Sequence, residues 1–279
     1  VLTSIRKNGV TLLSIGNGTA SYETEQFAAA LIQDNHLKDV HYLITNEAGA
    51  SVYSASKLAK EELPEYDVVI RGAVSIARRV QDPLAELVKI DPQAIGVGQY
   101  QHDVNQTELA HTLDATIEAA VNHVGVDLNT ASPALLRHVA GINATTAKNI
   151  VAFRDENGRF TSRRQLLKVP RLGPAAFTQC AGFLRIHEGK SPLDDTPVHP
   201  ESYQLAQELL QKLGFALSDL KDKDKLPLIK MKREMLKPQD EMRLAKELEA
   251  GLPTVHDILD ALVSPGRDPR EDLPAPLTR

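Results

Sequence analysis

The chain has 279 residues, which is enough for two or three domains of ordinary size. Its single cysteine excludes an intramolecular disulfide framework and a cysteine-based zinc site, and it favours a reducing, cytoplasmic compartment. The lack of tryptophan and an aromatic fraction of 4% disfavour a protein built on base-stacking platforms. No apolar run approaches the roughly 20 residues that a membrane-spanning helix needs, so we expect no membrane partner. The start at Val1 and the proline-rich end predict a fragment of a longer protein.

Charge is distributed unevenly along the chain. The formal net charge is −5, yet residues 127–190 hold ten Lys or Arg and only four Asp or Glu. This stretch is therefore +6, and the remainder of the chain is −11. A basic module between acidic flanks is typical of a nucleic-acid-binding surface, and it is equally compatible with a solvated surface that has no ligand.

The first part of the chain alternates strand and helix patterns. Residues 10–15 and 40–45 are apolar runs typical of buried strands, and residues 22–34 between them have helical spacing. Further elements are predicted as helices over 51–63, 67–80 and 107–124 and a short strand over 94–97. The pattern indicates an α/β layer with too few strands for a complete sheet.

From residue 127 onward no strand pattern is visible, and the rest of the chain is predicted to be all-helical. The predicted helices cover 144–154, 174–184, 201–213, 238–250 and 255–262. Prolines mark one linker near residues 192–200 and another from residue 264 to the end. We therefore expect three domains, over residues 1–125, 126–190 and 191–279.

Two segments of the basic stretch repeat each other at a spacing of thirty residues. One runs over residues 135–143 and the other over residues 165–173. Each is predicted to form a short helix, a tight turn and a second helix. This is the pattern of the helix-hairpin-helix motif.

A helix-hairpin-helix turn exposes backbone N–H groups beside the positive end of its second helix, and a phosphate oxygen is their natural partner. Such a contact ignores base identity, so binding is expected to be sequence-independent and sensitive to salt. The first turn reads Gly-Ile-Asn and the second Arg-Leu-Gly, so we expect the second hairpin, where Arg171 replaces a glycine, to bind phosphate less closely. A hairpin that only packs, or that binds protein, stays open as an alternative. The predicted nucleic-acid-binding residues are Gly141, Ile142, Asn143, Lys148, Arg163, Arg164, Lys168, Arg171, Leu172 and Gly173.

Seven longer runs resemble the Tex family of bacterial transcription accessory proteins. They are IGNGTAS (15–21), NEAGASVYS (46–54), RGAVSIARR (71–79), GVGQYQHDV (96–104), QCAGFLRI (179–186), VHPE (198–201) and PGRDPR (265–270). The resemblance implies a mixed, mainly α fold: a partial RNase H-like domain of the YqgF type, a tandem helix-hairpin-helix domain, and a small helical domain with a linker to an absent OB-fold domain. It also implies a link to transcription, to RNA or DNA, and to RNA polymerase.

An RNase H-like fold can hold two Mg²⁺ ions between clustered carboxylates and cleave phosphodiesters. By resemblance, the candidate catalytic acids are Glu47 and Asp103, and the first-strand Asp would lie before Val1. Two acids cannot hold a two-metal site. We therefore favour Glu47 as a cap or ion-pair partner in a domain kept for binding, with no metal and no cofactor.

These observations predict a monomeric, non-enzymatic protein that binds RNA or DNA through backbone phosphates in a transcription-associated role. One alternative is a metal-dependent nuclease or resolvase of the RNase H-like class. Another is a protein scaffold that docks on RNA polymerase through its hairpins. Cys180 is predicted to be a core residue rather than a nucleophile, and a second basic cluster is interpreted as a solvated helix face: Lys230, Lys232, Arg233 and Lys237.

Overall fold

The computed structural model describes residues 1–274 and 278, and these form two compact units. One unit is built mainly from residues 1–115 and the other from residues 116–272. The predicted division into three domains stays a prediction. The predicted linker from residue 264 includes residues 275–277 and 279, which lie outside the described part of the chain.

The first unit contains a parallel pair of strands, β1 (Leu12–Gly16) and β2 (His41–Thr45), joined by helix α2 (Ser21–Asp34). Leu12 lies opposite His41, and Gly16 lies opposite Thr45. The predicted strand–helix–strand unit is therefore confirmed. The other helices are α1 (Leu2–Asn8), α3 (Ala50–Ala55), α4 (Lys57–Glu62), α5 (Val68–Gln81), α6 (Pro83–Leu87), α7 (Pro92–Ile95) and α8 (Gln106–Val124), of which α8 crosses the boundary between the units.

Two predictions for the first unit are wrong. Residues 94–97 do not form a strand, because Pro92 starts a helical turn whose Gln93 N–H is capped by the side chain of Asp91. The single helix predicted over 51–63 is broken at Ser56. That residue is extended, and its hydroxyl caps the next helix by accepting the N–H of Ala59.

The second unit is mainly helical. Its helices are α9 (Pro133–Leu136), α10 (Ala144–Asn157), α11 (Pro174–Cys180), α12 (Tyr203–Lys212), α13 (Leu226–Met235), α14 (Pro238–Glu247) and α15 (Leu252–Leu262). Short 3₁₀ helices cover Arg163–Lys168, Ala181–Phe183, Pro192–Asp195, Pro200–Ser202, Leu217–Lys221 and Pro269–Asp272. The structure adds a detail that no pattern indicates: a two-residue parallel ladder between β3 (Val126–Asp127) and β4 (Leu184–Arg185).

The C-terminal half of the second unit is held by an apolar core to which α12 and α15 contribute most. Val255, Ile258, Leu259 and Leu262 on α15 are buried, at the spacing of one helix face. Residues 264–272, predicted as a linker, instead fold onto this unit, since the N–H of Gly266 donates to the carbonyl of Asp195 over 2.7 Å. Helix α13 is absent from the predicted elements.

Candidate nucleic-acid interface

The two predicted hairpins have the same backbone hydrogen bonds at the spacing of thirty residues. In the first, the N–H of Ile142 donates to the carbonyl of Val139 over 3.0 Å. In the second, the N–H of Leu172 donates to the carbonyl of Val169 over 3.1 Å. All four side chains are buried, so these residues form the base of each turn and only their backbones can face a ligand.

The turn residue of both hairpins has left-handed backbone geometry. Gly141 has a φ of 79°, and Arg171, thirty positions later, has a φ of 65°. A residue with a β-carbon is strained there by about 1–2 kcal/mol. The second hairpin therefore keeps the geometry of the first although Arg171 replaces a glycine.

The two hairpins pack closely against each other. A β-carbon on Gly141 would lie 2.6 Å from Cβ of Gln179 and 3.1 Å from the carbonyl oxygen of Ala176, both on α11. The Nδ2 of Asn149, on α10, donates to the carbonyl of Pro170 over 2.8 Å. The spacing between the two turns is thus set by direct contact.

The first hairpin binds most of its own amide groups. The side-chain oxygen of Asn143 accepts the N–H groups of Thr145 and Thr146, each over 3.0 Å, and the N–H of Asn143 donates to Oγ1 of Thr146 over 2.9 Å. This reciprocal cap occupies three backbone donors at the start of α10, one of which, the N–H of Asn143, belongs to the predicted binding residues. The first turn is therefore the more closed of the two.

The second hairpin leaves two of its turn amides open. Gly173 takes the place of Asn143 and has no capping side chain, and among the described residues the N–H groups of Arg171 and Gly173 have no acceptor. Both residues are exposed. From the sequence we expect the second hairpin to bind phosphate less closely than the first. The geometry favours the opposite, because the second hairpin has the more open amides.

Most of the predicted cationic residues lie on the surface. Lys148, Arg164, Lys168 and Arg171 are exposed, and within the described part of the chain none of them forms an ion pair. Three of these four belong to the 3₁₀ helix and turn that lead into the open second hairpin.

Arg163 is a correction to the predicted interface. Its side chain is fully buried, so it cannot meet a ligand, and its guanidinium instead binds five oxygen acceptors. Nη1 donates to the hydroxyl of Tyr203 over 2.8 Å, and Tyr203 in turn donates to Asp194 over 2.6 Å. The remaining acceptors are the carbonyls of Leu184, Leu193, Thr196 and Val198.

Two further arginines of the basic stretch also have internal roles. Arg154 donates to the carbonyls of Leu128 and Ala131 over 3.2 and 3.1 Å. Arg185 donates to the carbonyl of Gly182, and burial lowers its pKa to about 10. The charge count of residues 127–190 therefore overstates the positive charge available to a ligand.

Glu47 lies in the first unit, beside a cavity of about 340 Å³ at the carboxyl end of β1. Its carboxylate lies against the turn between β1 and α2, and a β-carbon at Gly16 or Gly18 would overlap it. The Glu47 N–H donates to Oδ1 of Asn17 over 3.1 Å. The two glycines of this turn therefore make room for the Glu47 side chain.

The structure does not bring the two candidate acids together at this cavity. Asp103 is exposed and is not among the residues that line the cavity. Among the described residues, no group of three or more His, Cys, Asp or Glu is placed to hold a metal ion. The residues present do not fit a two-metal site. Within the described residues the Glu47 carboxylate has no hydrogen bond or ion pair within 4 Å, although, against the larger lowering by burial, its charge acts to raise the pKa of the Arg79 guanidinium.

Arg79 positions the segment around Glu47, and sequence reasoning missed it. Its Nη1 donates to the carbonyls of Asn46 and Ala48, on either side of Glu47, over 2.8 Å each. The side chain is buried, and burial lowers its pKa. No sequence pattern distinguishes Arg79 from its neighbour Arg78; the structure places Arg79 on the same buried face of α5 as Arg71 and Ser75.

A third hairpin joins α14 to α15 and was also missed. Glu249 has a φ of 51°, and Gly251 then starts α15 without a side-chain cap. The available signal was the Gly-Leu-Pro sequence from Gly251, which is similar to the Gly-Pro at Gly173. An acidic residue stands in the left-handed position here, so this turn is less suited to phosphate than the one at Arg171.

Cys180 is fully buried on α11, and burial raises the pKa of its thiol to about 12. A thiol in this environment is not a nucleophile at neutral pH, which confirms the core assignment. No helix within the described residues has both the length and the apolar composition of a membrane-spanning segment.

Comparison with protein-family models gives three matches in chain order. The Tex protein YqgF-like domain matches residues 1–81, a helix-hairpin-helix motif matches residues 121–185, and an HHH domain matches residues 191–270. The third match includes the hairpin at Glu249. The region predicted only as a small helical domain is thus also related to helix-hairpin-helix domains.

Curated relatives match nearly the whole chain. The Transcriptional accessory protein Tex of Neisseria gonorrhoeae is 54% identical over 266 residues, 95% of this chain and 34% of the relative. Protein YhgF of Escherichia coli is 55% identical over 95% of this chain and 33% of the relative. The human S1 RNA-binding domain-containing protein 1 is 42% identical over 90% of this chain and 30% of the relative. The chain spans about a third of the length of these relatives, and it belongs to the Tex family of transcription accessory proteins.

Proposed function

We propose that the second unit binds RNA or DNA through backbone phosphates, without reading the bases, and that the open second hairpin makes the principal contact. The helix-hairpin-helix match to residues 121–185 supports the class of ligand. The whole protein's role in transcription is proposed from the printed name of the Neisseria gonorrhoeae relative.

The observation that carries the proposal is the environment of Gly173. Its φ of −79° is open to any residue, so the backbone does not require glycine there. A β-carbon on Gly173 would meet nothing within 4 Å, so packing does not require glycine either. Its exposed N–H has no acceptor among the described residues. A bare, exposed amide is what the close approach of a phosphate oxygen needs.

The surrounding charges favour an anionic partner. Arg164, Lys168 and Arg171 are exposed within eight residues of one another and have no ion pair among the described residues. Arginine and lysine side chains that contact phosphates release counterions, so affinity falls as salt rises. Each phosphate contacted contributes a slope of about −0.9 for duplex DNA, or about −0.7 for a single strand, in a plot of log K against log salt.

The test is a titration of the chain against labelled RNA, single-stranded DNA and duplex DNA at two salt concentrations. We expect Arg164→Glu to lower the affinity for all sequences of one kind of nucleic acid by the same factor. It should also reduce the salt slope by the contribution of about one phosphate contact. Lys38→Glu is the matched control, since it makes the same charge change at an exposed site in the first unit. Equal loss of affinity in both variants would indicate a general charge effect and would refute the hairpin as the binding site.

The two alternative functions predict different results in binding and cleavage assays. A protein scaffold that docks through its hairpins would show no nucleic-acid affinity that depends on Arg164. A nuclease would release labelled fragments in the presence of Mg²⁺, and Glu47→Gln would abolish the release. We propose that the chain is not an enzyme, and we expect no Mg²⁺-dependent cleavage; cleavage that is lost in Glu47→Gln would overturn this.

A further inference from the structure

Helix α13 has two apolar faces, and within the described residues one of them packs against the second unit while the other does not. Ile229 is fully buried, Leu226 and Leu236 pack against the same apolar core, and Arg233 bonds to Glu241 over 2.6 Å. These residues fix one side of the helix to the second unit. The opposite side is left to solvent.

The outward side of α13 forms what we call the methionine face: Leu228, Met231 and Met235. These side chains are 48%, 53% and 68% exposed. Their spacing of three and then four residues places them on one stripe of the helix. Single exposed apolar residues are common, but three in register on one short helix are typical of a surface that meets a partner. Methionine side chains are flexible and adapt to partners of different shape.

The charge around the methionine face is positive although the chain as a whole is acidic. Residues 221–237 hold seven Lys or Arg and three Asp or Glu; Lys225 and Arg233 are ion-paired to acids outside this stretch, so five lysines remain against three acids. Lys232 lies on the methionine face itself, four residues after Leu228 and three before Met235. Within the described residues, Lys230, Lys232 and Lys237 have no ion-pair partner. The surface therefore complements an acidic ligand.

The composition of the face favours a protein ligand over a nucleic acid. Residues 221–237 contain no aromatic side chain on which a base could stack. Thioether and isobutyl groups gain nothing from a phosphate, whereas they gain about 25 cal/mol for each Å² of apolar surface that a partner covers. A stripe with this spacing matches the apolar side of another helix.

We propose that the methionine face of α13 is a docking site for a short amphipathic helix of a partner protein. The apolar side of that helix would cover Leu228, Met231 and Met235, and its acidic residues would meet Lys232 and the neighbouring lysines. This surface is separate in sequence from the hairpin at Arg171. It gives a role to the lysines of the second basic cluster, whereas Arg233 of that cluster lies on the packed side of the helix.

The chain contains three methionines, so ¹³C-methyl labelling gives a spectrum of three resonances, and those of Met231 and Met235 report on this surface. The probe is a synthetic helical peptide of roughly 18 residues, with leucines on one stripe and glutamates elsewhere, long enough to form a helix when bound. We expect the methyl signals of Met231 and Met235 to shift in a saturable way. A peptide of the same composition in scrambled order, which lacks the stripe, is the control and is expected to bind at least about tenfold more weakly.

Variants of the exposed face should change binding without changing the fold, because none of these side chains is buried. A double variant, Met231→Gln with Met235→Gln, is expected to weaken peptide binding at least about fivefold, since two apolar contacts are lost. Lys232→Glu is expected to weaken it as well, while Arg164→Glu at the hairpin leaves it unchanged. Unshifted methionine signals, equal binding of the scrambled peptide, or a shift caused by oligo-dT in place of the peptide would each overturn the proposal.

Discussion

Replacing Arg163 should destabilise the second unit far more than replacing Arg164. The guanidinium of Arg163 is fully buried and donates to four carbonyls and to the hydroxyl of Tyr203. In Arg163→Met, an unbranched apolar side chain replaces the stem of the arginine. All five oxygens lose the guanidinium as donor, and three of them, the carbonyls of Thr196 and Val198 and the hydroxyl of Tyr203, keep no other donor among the described residues. A buried acceptor without a partner costs about 1–3 kcal/mol.

The expected loss is smaller than the sum of these costs. The variant no longer has to bury a charged guanidinium, and water can reach some of the oxygens. Removing one side of a buried, hydrogen-bonded charge network typically costs about 3–5 kcal/mol, so we expect about 4 kcal/mol for Arg163→Met. Arg163→Lys should cost less, about 2 kcal/mol, because an ammonium group has three donors and can serve at most three of the five acceptors.

Urea unfolding followed by circular dichroism measures these differences. Arg164→Met is the matched control: the same substitution at the next residue, which is exposed, should change the free energy of unfolding by less than about 0.5 kcal/mol. A loss below about 1 kcal/mol for Arg163→Met, or equal losses at both positions, would refute the role that we assign to the buried guanidinium.

Three further predictions follow from single positions. Gly141→Ala should lower the free energy of unfolding by about 2 kcal/mol or more, because it strains a φ of 79° and places a carbon 2.6 Å from Cβ of Gln179. Gly173→Ala should lower it by less than about 1 kcal/mol but should weaken nucleic-acid binding. Urea unfolding measures the stability of both variants, and fluorescence anisotropy measures their binding. The Cys180 thiol should resist Ellman's reagent until the second unit unfolds, and rapid native reaction would contradict its burial. The hydrogen bond to Glu241 raises the pKa of His256, so its contribution to stability should be full below about pH 6.5 and disappear as the pH rises above the folded-state pKa. His256→Asn should remove that part of the pH dependence of the unfolding free energy, and an unchanged profile would contradict the assignment.

The hairpins could be predicted because their determinants are local. A turn of fixed geometry needs apolar residues such as Val139 and Ile142 at fixed places, and the same spacing recurs thirty residues later. Which of the cationic side chains are buried and which are exposed could not be predicted in the same way, because Arg163 and Arg164 are adjacent and chemically identical. Their difference comes from the three-residue period of the 3₁₀ helix, which places Arg163 in line with buried Leu166.

The state of the hairpin amides was also beyond the sequence pattern. The Gly-Ile-Asn pattern does not show that Asn143 has extended geometry and that its side chain caps α10. The left-handed residue of each turn is the one before the buried apolar residue, which is Gly141 in the first turn and Arg171 in the second. Near Glu47, the pattern indicates an acid after a strand, yet only the folded backbone shows that Asp103 is not at the same cavity.

The acceptors around Arg163 restrict how the chain can be divided for experiments. Its donor belongs to the hairpin region, while Leu193, Thr196, Val198 and Tyr203 come after residue 190. A truncation at residue 190 would remove four of the five oxygens and leave the guanidinium of Arg163 without most of its hydrogen-bond acceptors. Recombinant pieces intended to isolate the hairpins should therefore extend through α12, and shorter ones should be insoluble or readily degraded by proteases.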